Sequence, residues 1–482
     1  MVGNGASMVT LCYLRRFLAV ARTLFVSVEV VEVSAAVATA FGRVSEVLRA
    51  YASLLDSTFS DADRKAVLDG LGQAGSDYRR DVYANGLSGS VPLSAAVLID
   101  LCDTTIRYID HAIRANQRPD GLFHAYNILE FGVGGITTRR LQVMLEGQVA
   151  VLCSGFLTPA SAADLLDGLR KSKLYRTDQN SYLLYPNKIL PGFFQKNNIP
   201  AEGLALCPTL IAMLARDDRR IVLGDVNGVA HFNSDFSNAS VLEEALAPLG
   251  LPQEEKRQIL ALYEAVFQHK SFTGRSGSFY KYEGLGCIYW HMVSKLLLAV
   301  QDLMWQASRE DSQAFERLRD HYRDIRAGLG VHKSPSAYGA VPLDPYSHTP
   351  GFAGVQQPGM TGQVKEDIIS RFGEMGASVV DGALVFCPAM VKQDEFLTES
   401  ALFAYFDIQG IKQSLMLEPG SLAFTVCQVP VVLHQESGGD ITIKGQDGSQ
   451  RIHASLQLDA QTSRAIFQRN GTVQRLDIRV GS

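Results

Sequence analysis

Five segments of the chain gather side chains able to do chemistry, and each lies where a helical pattern breaks off. In the first, Ile113 to Asn127, an amphipathic run ends in a Pro119-Asp120-Gly121 turn. That turn brings Arg114, Arg118, Asp120, His124, Tyr126 and Asn127 into one short stretch. A carboxyl group set between apolar burial and an arginine can be tuned for general-acid work, which makes Asp120 the candidate acid. The structural alternative is a turn whose aspartate caps its own backbone. In the second, Met144-Leu-Glu146-Gly-Gln148, a carboxylate inside an apolar helix reads as a structural residue paired to an arginine or a backbone donor.

The third segment, Leu174 to Asn187, carries Arg176, Asp178, Gln179, Tyr182 and Tyr185. Planar hydrogen-bonding groups with aromatic faces are what a sugar subsite needs, although a surface loop has the same composition. The fourth, Ile221 to Phe236, reads as a hairpin with an Asp/Asn/Gly turn; Asp225 and His231 are its candidates, set against an ordinary exposed strand pair. The fifth, Phe272 to Gly286, holds Thr273, Gly274, Arg275, Ser276, Gly277, Tyr280 and Glu283 directly before a helix near Leu285. Small hydroxyl residues and glycines there leave backbone N–H groups facing outward as an anion site, to which Arg275 adds charge. A capped helix start, with Ser276 or Ser278 as N-cap, is the alternative.

Other chemistries lose their footing. There is no HExxH, no paired CxxC, no GxSxG, no GxxxxGK[ST] and no GxGxxG between strand and helix, so zinc and serine hydrolases, P-loop enzymes and dehydrogenases are disfavoured. No metal or organic cofactor is expected. With a net charge of -5 and scattered basic residues, nucleic acid is not an expected partner. No apolar stretch reaches the roughly 18 residues of a membrane span, and seven dispersed cysteines read as buried thiols of a reducing compartment, so a cytoplasmic location is expected.

The elements that must position these groups follow from periodicity. Helical spacing is expected near 36–54, 93–115, 137–153, 160–172, 239–247, 253–268, 284–307, 311–327 and 362–376. After Gly376 short β-rich runs take over, at 378–386, 402–407, 421–427, 431–434, 440–443, 451–456 and 473–480, separated by turn dipeptides such as Asp381-Gly382. The fold expected is mainly α with a β domain: an (α/α)-type helical barrel over 1–377 and a C-terminal antiparallel β-sandwich over 378–482. Between Gly328 and Gly362 a long stretch carries His332, Tyr338, Tyr346, His348, Phe352, Gln356 and Gln357, an aromatic content that points to an ordered active-site cover.

Thr273-Gly274-Arg275-Ser276-Gly277 resembles the Thr-Gly-x-x-Gly phosphate loop of the (α/α)6-barrel glycoside hydrolases and phosphorylases of the cellobiose phosphorylase group, the six-hairpin glycosidases. The resemblance implies a barrel followed by a small β domain, with the family's N-terminal β-sandwich missing, as in a truncated member. It implies inorganic phosphate as co-substrate, bound by residues 273–277 and His231, and Asp120 as general acid. Cleavage would be inverting: the acid protonates the glycosidic oxygen while phosphate, or water activated by Glu283 or Asp225, attacks the anomeric carbon from the opposite face. Arg118, His124, Tyr126, Asn127, Arg176, Asp178, Gln179, Tyr182, Tyr280, Tyr346, His348 and Gln357 would contact a β-linked gluco-oligosaccharide. The Asp-Trp-Asn-Asp sequence of that group does not occur. A polysaccharide lyase on the same scaffold and a non-catalytic protein are the alternatives, and a homodimer stays open.

Overall fold

The computed structural model describes residues 5–87, 89–187, 191, 195–268, 286–342, 344–351, 353–358 and 361–481. The chain divides into two compact units, Met1–Gly359 and Met360–Ser482. Helices dominate the first unit, which also carries several two- and three-stranded sheets; strands dominate the second. Among the described residues no helix is long and apolar enough to cross a membrane.

In the first unit α1 (Met8–Phe25), α2 (Ala35–Ala50), α3 (Asp61–Asn85) and α4 (Ala95–Ala115) are each entered from a serine. At α3 this is a full capping box: Ser60 accepts from the Asp63 backbone, and the Asp63 carboxylate accepts from the Ser60 backbone, satisfying two otherwise orphaned donors. Helix α4 packs on α1 and α2, and α1 packs on α5 (Leu145–Cys153). Arg15 fixes that arrangement, pairing with Asp110 at 2.5 Å and donating to the Ser154 carbonyl at 3.0 Å. Beyond α5 come α6 (Pro159–Lys171), the long helix Trp290–Glu310 and the helix Ser312–Ala327, all mutually packed. The long helix buries Trp290, Val293, Leu297, Val300, Met304 and Ala307, a stripe at spacings of three and four, and each large apolar side chain contributes about 1.5–3 kcal/mol.

A separate core forms between Ile199 and Phe267. Leu210, Ile221, Phe232, Leu242, Leu246, Ile259 and Tyr263 pack together there, with the Phe232 and Tyr263 rings edge to face at 5.1 Å. This stretch is an excursion from the host, because the chain leaves and returns at one point. The Leu184 N–H donates to the Cys287 carbonyl at 3.0 Å, and a Cβ on Gly286 would come within 3.3 Å of the Asn187 side chain.

The second unit opens with the helix Thr361–Glu374, followed by the hairpin Ala377–Val380 and Ala383–Phe386 about an Asp381-Gly382 turn with both φ angles positive. Gly376 has φ +77° and an added Cβ would lie 2.2 Å from the Cys387 carbonyl carbon, so only glycine fits between helix and hairpin. A second hairpin, Ala401–Phe406 with Lys412–Leu417, precedes a five-stranded sheet. In spatial order its strands are Ser421–Val426, Val429–His434, Val473–Arg479, Ile441–Gly445 and Gln450–His453. The expectation of a purely antiparallel arrangement is corrected here: Val429–His434 and Val473–Arg479 run parallel. The helix Ala460–Phe467, which the β-rich pattern of this region does not predict, carries the chain across before the last strand, as a parallel pair requires. Burial alone would raise the Asp477 carboxyl, but hydrogen bonds from His434, Lys444 and Arg475 outweigh it and hold it at about 2.

Candidate functional site

The candidate residues fall into three described groups. The first is the turn between α4 and the strand Tyr126–Gly132. Its backbone is closed by Arg118 N–H to the Leu122 carbonyl at 2.7 Å and His124 N–H to the Asn116 carbonyl at 3.1 Å. Asp120 at its tip is half exposed and forked by Arg118 at 2.9 Å. Its carboxyl is held below the ordinary range, chiefly by that Arg118 bond, with the Leu122 N–H adding to it. This is the capped turn foreseen as the structural alternative, and its carboxyl is ionised as it stands.

Four to seven residues on, the turn reaches buried ground. Tyr126 Oη donates to Glu146 Oε2 at 2.6 Å, and Glu146 is 7% exposed on the first turn of α5. Among the described residues, Tyr126 is thus a donor to the Glu146 carboxylate. Asn127 donates to Asn116 Oδ1 at 2.8 Å, while its own Oδ1 is buried without a hydrogen-bond partner among the described residues. His124 Nδ1 lies 2.8 Å from the Leu141 carbonyl, and burial lowers its pKa.

The second group joins 174–187, 286–291 and 333–358. Arg176 is forked by Asp178 at 2.9 Å through two nitrogens. Its remaining nitrogen reaches the carbonyls of Gly286, Thr349 and Pro350 at 3.2–3.3 Å. Gln179 donates to the Ala337 carbonyl at 3.0 Å and accepts from Lys333 at 2.9 Å. Lys333 lies 4.8 Å over the Trp290 ring, and burial first, then Arg176, lowers its pKa to about 8. Arg176, Asp178 and Gln179 thus hold protein segments together. Tyr182 is buried edge to face against Tyr175 at 5.5 Å, so its ring is closed to a sugar.

The stretch 328–362 is ordered where described. Tyr346–Thr349 pairs with Ile288–Tyr289 on one side and Gln356–Pro358 on the other. His348 consequently stacks on Tyr289 with ring centres 4.8 Å apart, and Tyr289 Oη lies 3.3 Å from His291 Nδ1. Ser347 Oγ is 2.7 Å from His348 Nδ1 and 3.3 Å from Gln357 Oε1, and Tyr346 meets Tyr338 at 6.1 Å. The two groups share one apolar cluster, in which Ala125, Met144, Leu184 and Tyr185 pack with Tyr126 and Tyr289. Tyr289, His291 and Lys333 were not singled out in the sequence; the Tyr289-Trp-His291 run at a helix start is the signal that could have found the first two.

Burial holds His348 at about 4, against 6.5 for a free histidine. A lowered histidine pKa means the folded state refuses a proton that the unfolded chain accepts. The associated stability is complete above pH 6.5 and is lost as pH falls toward 4, by on the order of 3 kcal/mol. The pH dependence of the denaturant midpoint across that window is expected to flatten in His348→Gln.

The third group, Asp225 and His231, belongs to the Ile199–Phe267 module. Asp225 closes the hairpin by accepting from Asn227 and Val229 N–H at 2.9 and 2.7 Å, and these backbone bonds, the Val229 one foremost, lower its pKa. His231 Nδ1 lies 2.8 Å from the Asn197 carbonyl. Thr273, Gly274, Arg275, Ser276, Gly277, Tyr280 and Glu283 lie outside the described residues. Among the described residues no group of three or more His, Cys, Asp or Glu side chains is placed to hold a metal ion.

A helix-rich host with an inserted, separately packed module and a polar, aromatic centre beside its point of return is the class these features define. Residues 190–270, which contain that module, match the family model of the GH149 phosphorylase insertion domain 2. The match supports a glycoside phosphorylase of the GH149 kind, without singling out the cellobiose phosphorylase group. No curated protein matches the chain.

Proposed function

We propose that the chain acts as a glycoside phosphorylase on a β-linked gluco-oligosaccharide, with inversion at the anomeric carbon, and that its helices belong to an (α/α)-type barrel. The observation that carries this reading is the similarity of 190–270 to an insertion module of phosphorylases, together with a host chain that departs and returns at one point. A phosphate oxygen attacks the anomeric carbon while the glycosidic C–O bond breaks; the leaving oxygen takes the proton of one carboxylic acid, giving a sugar 1-phosphate and a shortened oligosaccharide. Residues 273–277 would hold the phosphate.

Asp120 is the proposed proton donor. To serve, its carboxyl must rise from its depressed state, which happens when substrate draws Arg118 away from it. Glu146 stands as a second reading on the strength of its burial and its Tyr126 bond. The test is the purified protein with β-linked gluco-oligosaccharides, with and without inorganic phosphate, following sugar 1-phosphate and reducing ends together. Phosphate-dependent sugar 1-phosphate is the expected result. Reducing ends without phosphate would mean hydrolysis, and an ultraviolet-absorbing unsaturated product from a uronate polymer would mean a lyase.

A further inference from the structure

Gln148, 0% exposed on α5, makes three hydrogen bonds with one amide. Its Oε1 accepts the Phe123 N–H at 2.9 Å, and its Nε2 donates to the Phe123 carbonyl at 2.7 Å and to the Met144 carbonyl at 2.9 Å. The side chain thus completes the backbone of Phe123 as a neighbouring strand would. One residue away, a Cβ on Gly147 would stand 3.1 Å from the backbone nitrogen, Cα and Cβ of Ala125, so the helix approaches the turn closely there. Phe123 lies three residues after Asp120 and three before Tyr126, and Gln148 lies two after Glu146.

We propose that Gln148, with Gly147, is the positioning bracket of the reaction centre: it fixes the 120–126 turn on the first turn of α5 and so holds Tyr126 on Glu146. Its effect on turnover rests on the phosphorylase reading. The bracket itself does not, since it can be read from amide exchange.

Displacing reacting groups by about 1 Å can cost about 100-fold in rate. Gln148→Met, which fills a similar volume and leaves both Phe123 groups unpaired, is therefore expected to lower kcat about 10–100-fold with KM within about 3-fold of the wild type. Gln148→Glu supplies the control that a merely structural role would not move. Ionised, it repels the Phe123 and Met144 carbonyls; protonated, it accepts from the Phe123 N–H and donates to its carbonyl. Its activity relative to the wild type is expected to climb as pH falls. A kcat for Gln148→Met within 3-fold of the wild type, or a flat pH ratio for Gln148→Glu, overturns the proposal. Should Gln148→Met not fold, the pH ratio decides alone. If the wild type forms no sugar 1-phosphate, the phosphorylase reading fails. Hydrogen exchange then separates the two ideas: a Phe123 amide slow in the wild type and markedly faster in Gln148→Met, or in Gln148→Leu should the first variant not fold, where no acceptor faces it, upholds the bracket, and equal rates sink it.

Discussion

Asp120→Asn is expected to cut formation of sugar 1-phosphate about 10²–10⁴-fold, the usual worth of a positioned general acid. The substitution keeps the shape of the turn and removes only the ionisable group. Asp120 is half exposed and its ion pair with Arg118 is a surface one, so the melting temperature should barely move. An aryl glycoside whose leaving group needs no proton should lose far less activity than an oligosaccharide. Glu146→Gln retains an acceptor for Tyr126 and should cost less than about 10-fold if Asp120 is the donor. The reverse pattern, with Glu146→Gln silent on oligosaccharides and Asp120→Asn active, would move the acid to the buried carboxyl.

Arg176→Ala is the second large effect, and it falls on stability. One guanidinium nitrogen serves the carbonyls of Gly286, Thr349 and Pro350, while Asp178 orients the plane from the other side. The Arg176 side chain is 12% exposed, so water replaces few of those contacts when it is removed. A loss of about 2–4 kcal/mol is expected from charged hydrogen bonds of this number, seen as a lower denaturant midpoint. Arg176→Lys should recover only a fraction, because a single ammonium cannot fork Asp178 and reach three carbonyls together. Because those carbonyls flank Tyr289 and His348, turnover should fall with stability; an Arg176→Ala protein as stable as the wild type would remove the staple from the account.

Where apolar residues recur on one face, the elements were legible. The helices expected at 93–115, 160–172, 253–268 and 311–327 lie within two residues of Ala95–Ala115, Pro159–Lys171, Gln253–Phe267 and Ser312–Ala327. Helix α3 was not, since only Ala74 along its 25 residues is buried and its periodic signal is correspondingly weak. The apolar spacing across 137–153 predicts one helix, but Gly135–Arg140 is the second strand of a hairpin and the helix starts at Leu145. Within the site, residue type marked where polar groups cluster and not what they bind. Arg176, Asp178 and Gln179 have the composition of a sugar subsite and are spent on backbone carbonyls and Lys333. Tyr289 and His348 are 59 positions apart, and only strand pairing stacks them. A match between Tyr126 and Glu146 across 20 positions depends on a turn closed by a glutamine, which no spacing rule would announce.

The meeting of Leu184 with Cys287, and of Asn187 with Gly286, makes the module Ile199–Phe267 a side branch of the chain rather than a link in it. A branch of this kind can be lengthened, shortened or exchanged while the host's own path is left intact, since closing a longer loop costs only about 0.6 kcal/mol per doubling. The stem is therefore a natural splice point, where the Ile199–Phe267 module could be cut away and the flanking chain rejoined by a short bridge with residues 273–277 left on the host, or grafted into the equivalent place of another helical host.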